Sequence, residues 1–138
     1  AEGEAVLGWL NAEIALTGTH GVDWQIWFVD MVSNLSSAID DKGFAVGHVK
    51  AILQHDDGSI LANITGTKET LQFRGQIDPG KTAILTINAR VQTEPQILEE
   101  LVFEALERSL TWHVEKKMIS LNTLSPGRPN PTHRITES

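Results

Sequence analysis

The sequence predicts an α+β fold in which two helices cover one face of an antiparallel sheet. Alternation of apolar and polar residues, the pattern of a half-buried strand, opens the chain and dominates its middle from Phe44 to Val91. Two other stretches repeat apolar residues at helical spacing. The resulting order of strand, helix, several strands, helix and strand is that of the ferredoxin-like arrangement with an added strand.

The composition limits the class of protein. The chain has 138 residues, enough for a single domain with a sizeable core. It contains no cysteine, which excludes disulfides, thiolate metal sites and a cysteine nucleophile. Its net charge of −7 argues against nucleic-acid and anionic-membrane binding, because phosphate contacts need clustered Lys and Arg. No apolar run approaches the ~20 residues of a membrane span and the acidic N-terminus is no signal peptide, so we expect a cytoplasmic protein.

The first strand and the first helix are predicted near the N-terminus. Residues alternate from Gly8 to Thr17, and Gly18 to Gly21 has the composition of a turn. Asp23 can cap the helix that follows, and Gly43 suits the left-handed position that ends it. The residues predicted to face inward are Leu10, Ala12, Ile14 and Leu16 on the strand and Trp24, Trp27, Phe28, Met31, Val32, Leu35, Ala38 and Ile39 on the helix.

The middle of the chain is predicted to form consecutive strands. Phe44 to His55 and Ser59 to Gly66 are separated by Asp56-Asp57-Gly58, a hairpin turn signal. Thr70 to Gln76 is either a short extra strand or an excursion at the sheet edge. Thr82 to Val91 alternates most regularly. The inward residues are Val49, Ala51, Leu53, Ile60, Ala62, Ile64, Ala83, Leu85, Ile87, Ala89 and Val91.

A second helix, a last strand and a tail complete the chain. Thr93 and Gln96 resemble a capping box, and Pro95 fits the first turn of a helix. Val114 to Leu121 has the composition of a strand. The prolines that follow forbid regular structure. We therefore predict one α+β domain over residues 1–121 and an extended Pro-rich tail over residues 122–138.

The segment Gly75 to Thr82 matches the phosphate-loop pattern G-x-x-x-x-G-K-T. A working phosphate loop opens a helix, whose N-terminal amides hold the phosphates. The residues after Lys81 alternate as a strand does, Pro79 lacks an amide proton, and Asp78 would repel phosphate. We therefore predict a turn between strands and no nucleotide site.

The outward positions of the predicted strands form the main candidate site. If the helices cover the other face, these side chains line one open polar surface, on which Glu13, His48, Lys50 and Arg90 could act as acid–base or anion-binding groups. The alternative is a plain solvated face, which antiparallel sheets commonly have. The outward polar residues are Asn11, Glu13, His48, Lys50, Asn63, Thr65, Thr86, Asn88 and Arg90.

Other residues give weaker signals. The histidines do not have the spacing of a zinc motif, and we favour a solvated turn over a metal site at His55 beside Asp56 and Asp57. No nucleophile elbow is present. We expect no catalytic residue, metal or cofactor. In the tail, Arg128, His133 and Arg134 could bind a carboxylate or phosphate of a partner; the alternative is a disordered terminus.

Five short sequence segments, which we call strings, occur in this chain in the same order as in a known protein family. With them, nearly the whole chain resembles the region C-terminal to the GTPase domain in the CobW-like cobalamin-synthesis proteins, a group of metallochaperone GTPases. The chain lacks both a phosphate loop in the right context and the family's Cys-x-Cys-Cys metal motif, so none of the family's catalytic or metal-binding residues has a counterpart here. The strings are Leu7-Gly8-Trp9-Leu10, Val46-Gly47-His48-Val49-Lys50, Ala62-Asn63-Ile64-Thr65-Gly66, Ile87-Asn88-Ala89-Arg90-Val91 and Arg128-Pro-Asn-Pro-Thr-His-Arg134.

The resemblance implies a non-catalytic accessory domain that binds a client protein or covers a nucleotide domain. A small-ligand or metal-binding domain that uses Glu13, His48, Lys50 and Arg90 is the alternative, and an enzyme acting on the same face is a third. The expected partner is a protein, either a GTPase domain or a metalloprotein client. Unpaired sheet edges also make a homodimer plausible.

Overall fold

In the computed structural model, which describes residues 6–65, 71–109, 113–127 and 132–134, the chain forms a seven-stranded antiparallel sheet and two helices. This confirms the α+β class and the positions of both helices in the chain. The elements are β1 (Gly8–Val22), α1 (Trp24–Lys42), β2 (Val46–His55), β3 (Gly58–Ile64), β4 (Gln72–Gln76), β5 (Gly80–Val91), α2 (Pro95–Ser109), β6 (Val114–Leu124) and β7 (Thr132–Arg134).

Both helices connect strands that are not neighbours in the sheet. The order across the sheet is β4-β3-β2-β5-β1-β6-β7. Helix α1 joins β1 to β2 with β5 between them, and α2 joins β5 to β6 with β1 between them. The helices contact each other and the central strands. They therefore cover one face of the sheet and leave the opposite face open.

The core lies between the helices and the covered face. All the residues predicted to face inward on β1, β2, β3 and β5 are buried, which confirms the alternation. Trp24, Trp27 and Phe28 are each 0% exposed, so the aromatic cluster of α1 is core. The rings of Trp24 and Trp27 meet edge to face, with centroids 5.8 Å apart.

The ends of the helices follow local rules. The Asp23 carboxylate accepts a hydrogen bond from the backbone N–H of Ile26 at 3.2 Å, as a cap does. Gly43 takes the left-handed conformation, with φ of 73°, and ends α1 as predicted. Pro95 is the first residue of α2. The predicted capping box is wrong. The backbone N–H groups of Ile97 and Leu98 donate to the carbonyl oxygen of Glu94, so Glu94 is the cap residue of α2 and Thr93 precedes it.

Two strands run further than predicted. The predicted turn from Gly18 to Gly21 is wrong: β1 continues to Val22, and the glycines mark an irregularity in its pairing with β5. A Cβ on Gly18 would collide with the Val22 side chain, so the backbone needs glycine where it bends. Strand β6 continues to Leu124, beyond the expected domain boundary at residue 121.

The segment that matches the phosphate loop joins two strands, as predicted. Strand β4 ends at Gln76, and β5 begins at Gly80, where a phosphate loop would open a helix. Strands β4 and β5 are not neighbours, since β3 and β2 lie between them. The connection is therefore a crossing over the end of the β2–β3 hairpin. Among the described residues, no helix combines the length and apolar composition that a membrane crossing requires.

Candidate functional site

The structure places the predicted strand candidates on the open face of the sheet. Glu13 lies on β1, His48 and Lys50 on β2, Asn63 on β3, and Asn88 and Arg90 on β5. Except at His48, which follows the exposed Gly47, their neighbours on either side along each strand are buried, so the alternation turns these side chains outward.

The strand register aligns polar side chains in a line across the open face. Asn63 lies opposite Gln72 and Lys50, Asn88 lies opposite Lys50 and Asn11, and Asn11 also lies opposite Asn122. We call this line the amide row. Directly opposed residues have Cβ atoms ~5 Å apart, so each side chain of the row can touch the next. The amide row consists of Gln72, Asn63, Lys50, Asn88, Asn11 and Asn122.

A cavity of about 380 Å³ opens on this face above β5, between β2 and β1. We call it the face cavity. Its lining includes five of the predicted outward residues and adds Trp9 and Ala89. Glu13 lies outside it, opposite Thr86, and Asn63 lies outside it on the far side of Lys50. The lining residues are Trp9, Asn11, His48, Lys50, Asn88, Ala89 and Arg90.

A bulge at Gly47 sets the orientation of His48. Val46 pairs with Val91 and His48 pairs with Arg90, so Gly47 is an extra residue in β2. In a regular strand Val46 and His48 would share a face. The bulge lets Val46 pack against the core while His48 stands on the open face beside Arg90.

Arg90 is held in place by Trp9. The guanidinium carbon of Arg90 lies 4.3 Å from the centroid of the Trp9 ring, a cation–π contact. The indole nitrogen of Trp9 is buried and has no hydrogen-bond partner within the described part of the chain. Trp9 is not among the predicted site residues, because alternation gives the face of a residue and not its cross-strand partner.

The face cavity is suited to an anion. Its charged lining residues, Lys50 and Arg90, are both cationic, and none of the described carboxylates lines it. No ion pair joins Lys50 or Arg90 to any residue of the described ranges. Within the described ranges these two cations therefore have no ion-pair partner, on a chain of net charge −7. Lys and Arg side chains donate hydrogen bonds and accept none, which matches an oxyanion.

A metal site receives no support from the geometry. In the part of the chain that the structure describes, no group of three or more His, Asp or Glu side chains is placed to hold a metal ion. In the face cavity His48 is accompanied by Lys50 and Arg90, whose positive charges would repel a cation.

A second cavity, also about 380 Å³, lies where the β4–β5 crossing meets the end of the sheet. Gly80, Lys81 and Thr82 of the phosphate-loop string line it, together with the hairpin turn at His55. These two segments are distant in the sequence, and no local pattern predicts that they meet.

His55 fastens this end of the sheet. Its Nδ1 accepts a hydrogen bond from the backbone N–H of Asp57 at 3.0 Å, so the proton of the neutral ring is on Nε2. Nε2 then donates to the carbonyl oxygen of Asp78 at 2.7 Å. Both ring nitrogens are engaged in tying the hairpin to the crossing segment. This explains a histidine at this position without a metal or a catalytic role.

The tail candidates are only partly described. Arg128 lies outside the described residues. His133 and Arg134 lie on β7, opposite Asn122 and Leu121 of β6. The backbone of β7 thus brings His133 to the end of the amide row.

Comparison with known proteins identifies no relative: no family model, no curated protein and no solved structure matches the chain. The resemblance to the CobW-like proteins stays a prediction.

Proposed function

We propose that this chain is a non-catalytic interaction domain that contacts a protein partner through the open face of its sheet. The observation that carries the proposal is the convergence of Lys50 and Arg90 from neighbouring strands in the face cavity, beside the amide row. Solvation of the face alone does not explain why two cations lie close together, without a described counter-charge, on a chain of net charge −7.

We assign the fold to the ferredoxin-like arrangement with additions. The strand order β2-β5-β1-β6, with a helix crossing over one strand in each half, supports the assignment. Strands β3 and β4 then extend one edge and β7 extends the other. In this arrangement the helices occupy one face, which leaves the other face available to a partner.

The partner that we propose is the GTPase domain of a CobW-like metallochaperone or its metalloprotein client. The resemblance of the sequence strings supports this choice, and two of those strings contain His48, Lys50, Asn88 and Arg90. The role is non-catalytic because, within the described residues, the face cavity has no carboxylate beside His48 that could orient it for acid–base chemistry.

Titration calorimetry against the GTPase domain of a CobW-like protein tests the proposal. We expect the double variant Lys50→Glu and Arg90→Glu to abolish binding. The control is Arg74→Glu with Lys117→Glu, which makes the same change of charge at exposed positions of the open face outside the face cavity. Equal losses in both variants would show a general charge effect and refute the face cavity as the contact site.

A second candidate function is the binding of a small anionic molecule. The volume of the face cavity, about 380 Å³, falls within the usual range of ligand pockets, ~300–1,000 Å³, and favours this alternative. A thermal-shift screen of small organic acids separates the two functions, because a molecule that binds only the folded state raises the melting temperature.

A further inference from the structure

We propose that the face cavity binds the carboxylates of an extended acidic segment, with Arg90 and Lys50 each taking one carboxylate. The inference rests on the proposed function and specifies the chemistry of the partner's contact. Three features of the face cavity carry it: its set of hydrogen-bond donors, the fixed position of Arg90 and the spacing of the two cations.

The donors of the face cavity face a ligand from three adjacent strands. Arg90 offers a planar fork that matches a carboxylate, and Lys50 offers an ammonium group. Asn11 and Asn88 add amide N–H groups, and among the described residues neither makes a hydrogen bond through its side chain to another. The Trp9 indole N–H is buried and does not reach the cavity, so Trp9 contributes the ring on which Arg90 stacks. An incoming carboxylate oxygen supplies the acceptors that these groups lack.

Arg90 is ordered before any ligand binds. Its guanidinium lies over the Trp9 ring at 4.3 Å, and the bulge at Gly47 sets His48 directly beside it. A free arginine loses rotamer entropy when it is immobilised by a ligand, and one that is already stacked loses less. The Trp9 ring thus prepares the guanidinium for bidentate contact.

The spacing of Arg90 and Lys50 fits alternate residues of an extended chain. Lys50 lies opposite Asn88, and Arg90 lies two residues further along β5, so the two cations are diagonal neighbours. Diagonal neighbours on adjacent strands are ~7–8 Å apart. Carboxylates at positions i and i+2 of an extended segment point to the same side and are ~6.6 Å apart, at ~3.3 Å per residue. A Glu-x-Glu segment therefore reaches both cations.

The experiment is a titration of the full chain, labelled with ¹⁵N, with a blocked Glu-Ala-Glu peptide, followed by NMR. The chain has four tryptophans, and Trp9→Phe identifies the Trp9 indole signal while keeping a ring beneath Arg90. We expect the Trp9 indole N–H and the side-chain amides of Asn11 and Asn88 to shift. Loss of a charged contact at an accessible site corresponds to about fivefold weaker binding, which we expect for both Arg90→Gln and Lys50→Gln. The matched variants Arg74→Gln and Lys117→Gln should bind as wild type does.

Each other outcome overturns the inference. A blocked Gln-Ala-Gln peptide that binds equally well would show that charge is irrelevant. Inorganic phosphate that shifts the same signals, where the acidic peptide does not, would assign the cavity to phosphate. Acetate acting alone would assign it to a free small acid. If no peptide binds but the GTPase domain still binds and loses its affinity in the Lys50→Glu and Arg90→Glu variant, this inference fails and the proposed function stands. If neither ligand binds, both fail.

Discussion

Trp27→Phe should destabilise the domain more than the same substitution at Trp24. Both tryptophans are 0% exposed, both lie on the first turn of α1, and their rings contact each other. They differ in one interaction. The indole N–H of Trp27 donates to the carbonyl oxygen of Ser109 at 3.1 Å, whereas the indole N–H of Trp24 has no partner among the described residues. Ser109 is the last residue of α2, so this bond satisfies a carbonyl that the helix itself leaves unpaired.

The magnitude follows from this difference. Each variant loses the same ring volume and the same contact between the rings, and those losses cancel in the comparison. Trp27→Phe also leaves the Ser109 carbonyl, which is 0% exposed, without its donor. An unsatisfied buried acceptor costs about 1–3 kcal/mol. Trp24→Phe removes a donor that was already unpaired, so it adds no such cost. We expect Trp27→Phe to lower the free energy of unfolding by about 1–3 kcal/mol more than Trp24→Phe.

Urea unfolding followed by far-ultraviolet circular dichroism measures both variants without relying on tryptophan fluorescence. The dependence of the free energy on urea should stay that of wild type in both, because the folded and unfolded surfaces change little. Equal destabilisation of the two variants would refute the reasoning, since it would mean that the bond to Ser109 contributes nothing beyond ring packing.

Four further substitutions test the local structure. Gly75→Ala should destabilise the domain by about 1–3 kcal/mol, because Gly75 has φ of 92° and a Cβ there would collide with the Ser59 carbonyl oxygen. Gly80→Ala should cost less than about 1 kcal/mol, because its Cβ would have ordinary contacts. Thermal melts of both variants check the difference. Asp23→Ala should cost about 1 kcal/mol through loss of the cap of α1, measured by urea unfolding. His55→Phe should cost about 1–2 kcal/mol, because it removes hydrogen bonds from both ring nitrogens, and an unchanged unfolding midpoint would contradict the proposed fastening of the β4–β5 crossing.

The glycine comparison also bears on the phosphate-loop string. A phosphate loop needs glycine at both positions, since the backbone must approach the phosphates. In this fold the backbone places different demands on Gly75 and Gly80. Gly75 adopts a left-handed conformation on the edge strand β4, next to the backbone of β3, and Gly80 begins β5 with room for a side chain. Strand geometry therefore accounts for the glycine at Gly75 and requires none at Gly80.

Sequence periodicity was sufficient to predict which residues face the core. The side chains of a strand alternate between faces, so burial of Leu10 and Ile14 on β1 already sets Asn11 and Glu13 on the opposite face. The same rule placed the side chains of His48, Lys50 and Arg90 on the open face. Both ends of α1 were predictable for a similar reason, because the Asp23 cap and the left-handed Gly43 are local features.

The pairing of strands could not be predicted from the sequence, because it depends on contacts between residues that are far apart in the chain. Nothing local indicates that Lys50 lies opposite Asn88, or that Asn88 lies opposite Asn11, so the amide row and the face cavity emerge only from the register. Turn signals were ambiguous for a related reason. The glycines from Gly18 to Gly21 permit either a turn or a bent strand, and the pairing of Gly18 with Val114 and of Val22 with Gly80 selects the strand.

The central claim is that a protein partner docks on the open face of the sheet. The most direct measurement is a map of backbone amide chemical shifts of the ¹⁵N-labelled chain on addition of an unlabelled CobW-like GTPase domain. We predict that the largest changes fall on β2, β5 and β1 around Lys50, Asn88 and Trp9, which surround the face cavity. Changes confined to the exposed sides of α1 and α2 would place the partner on the helical face and contradict the account.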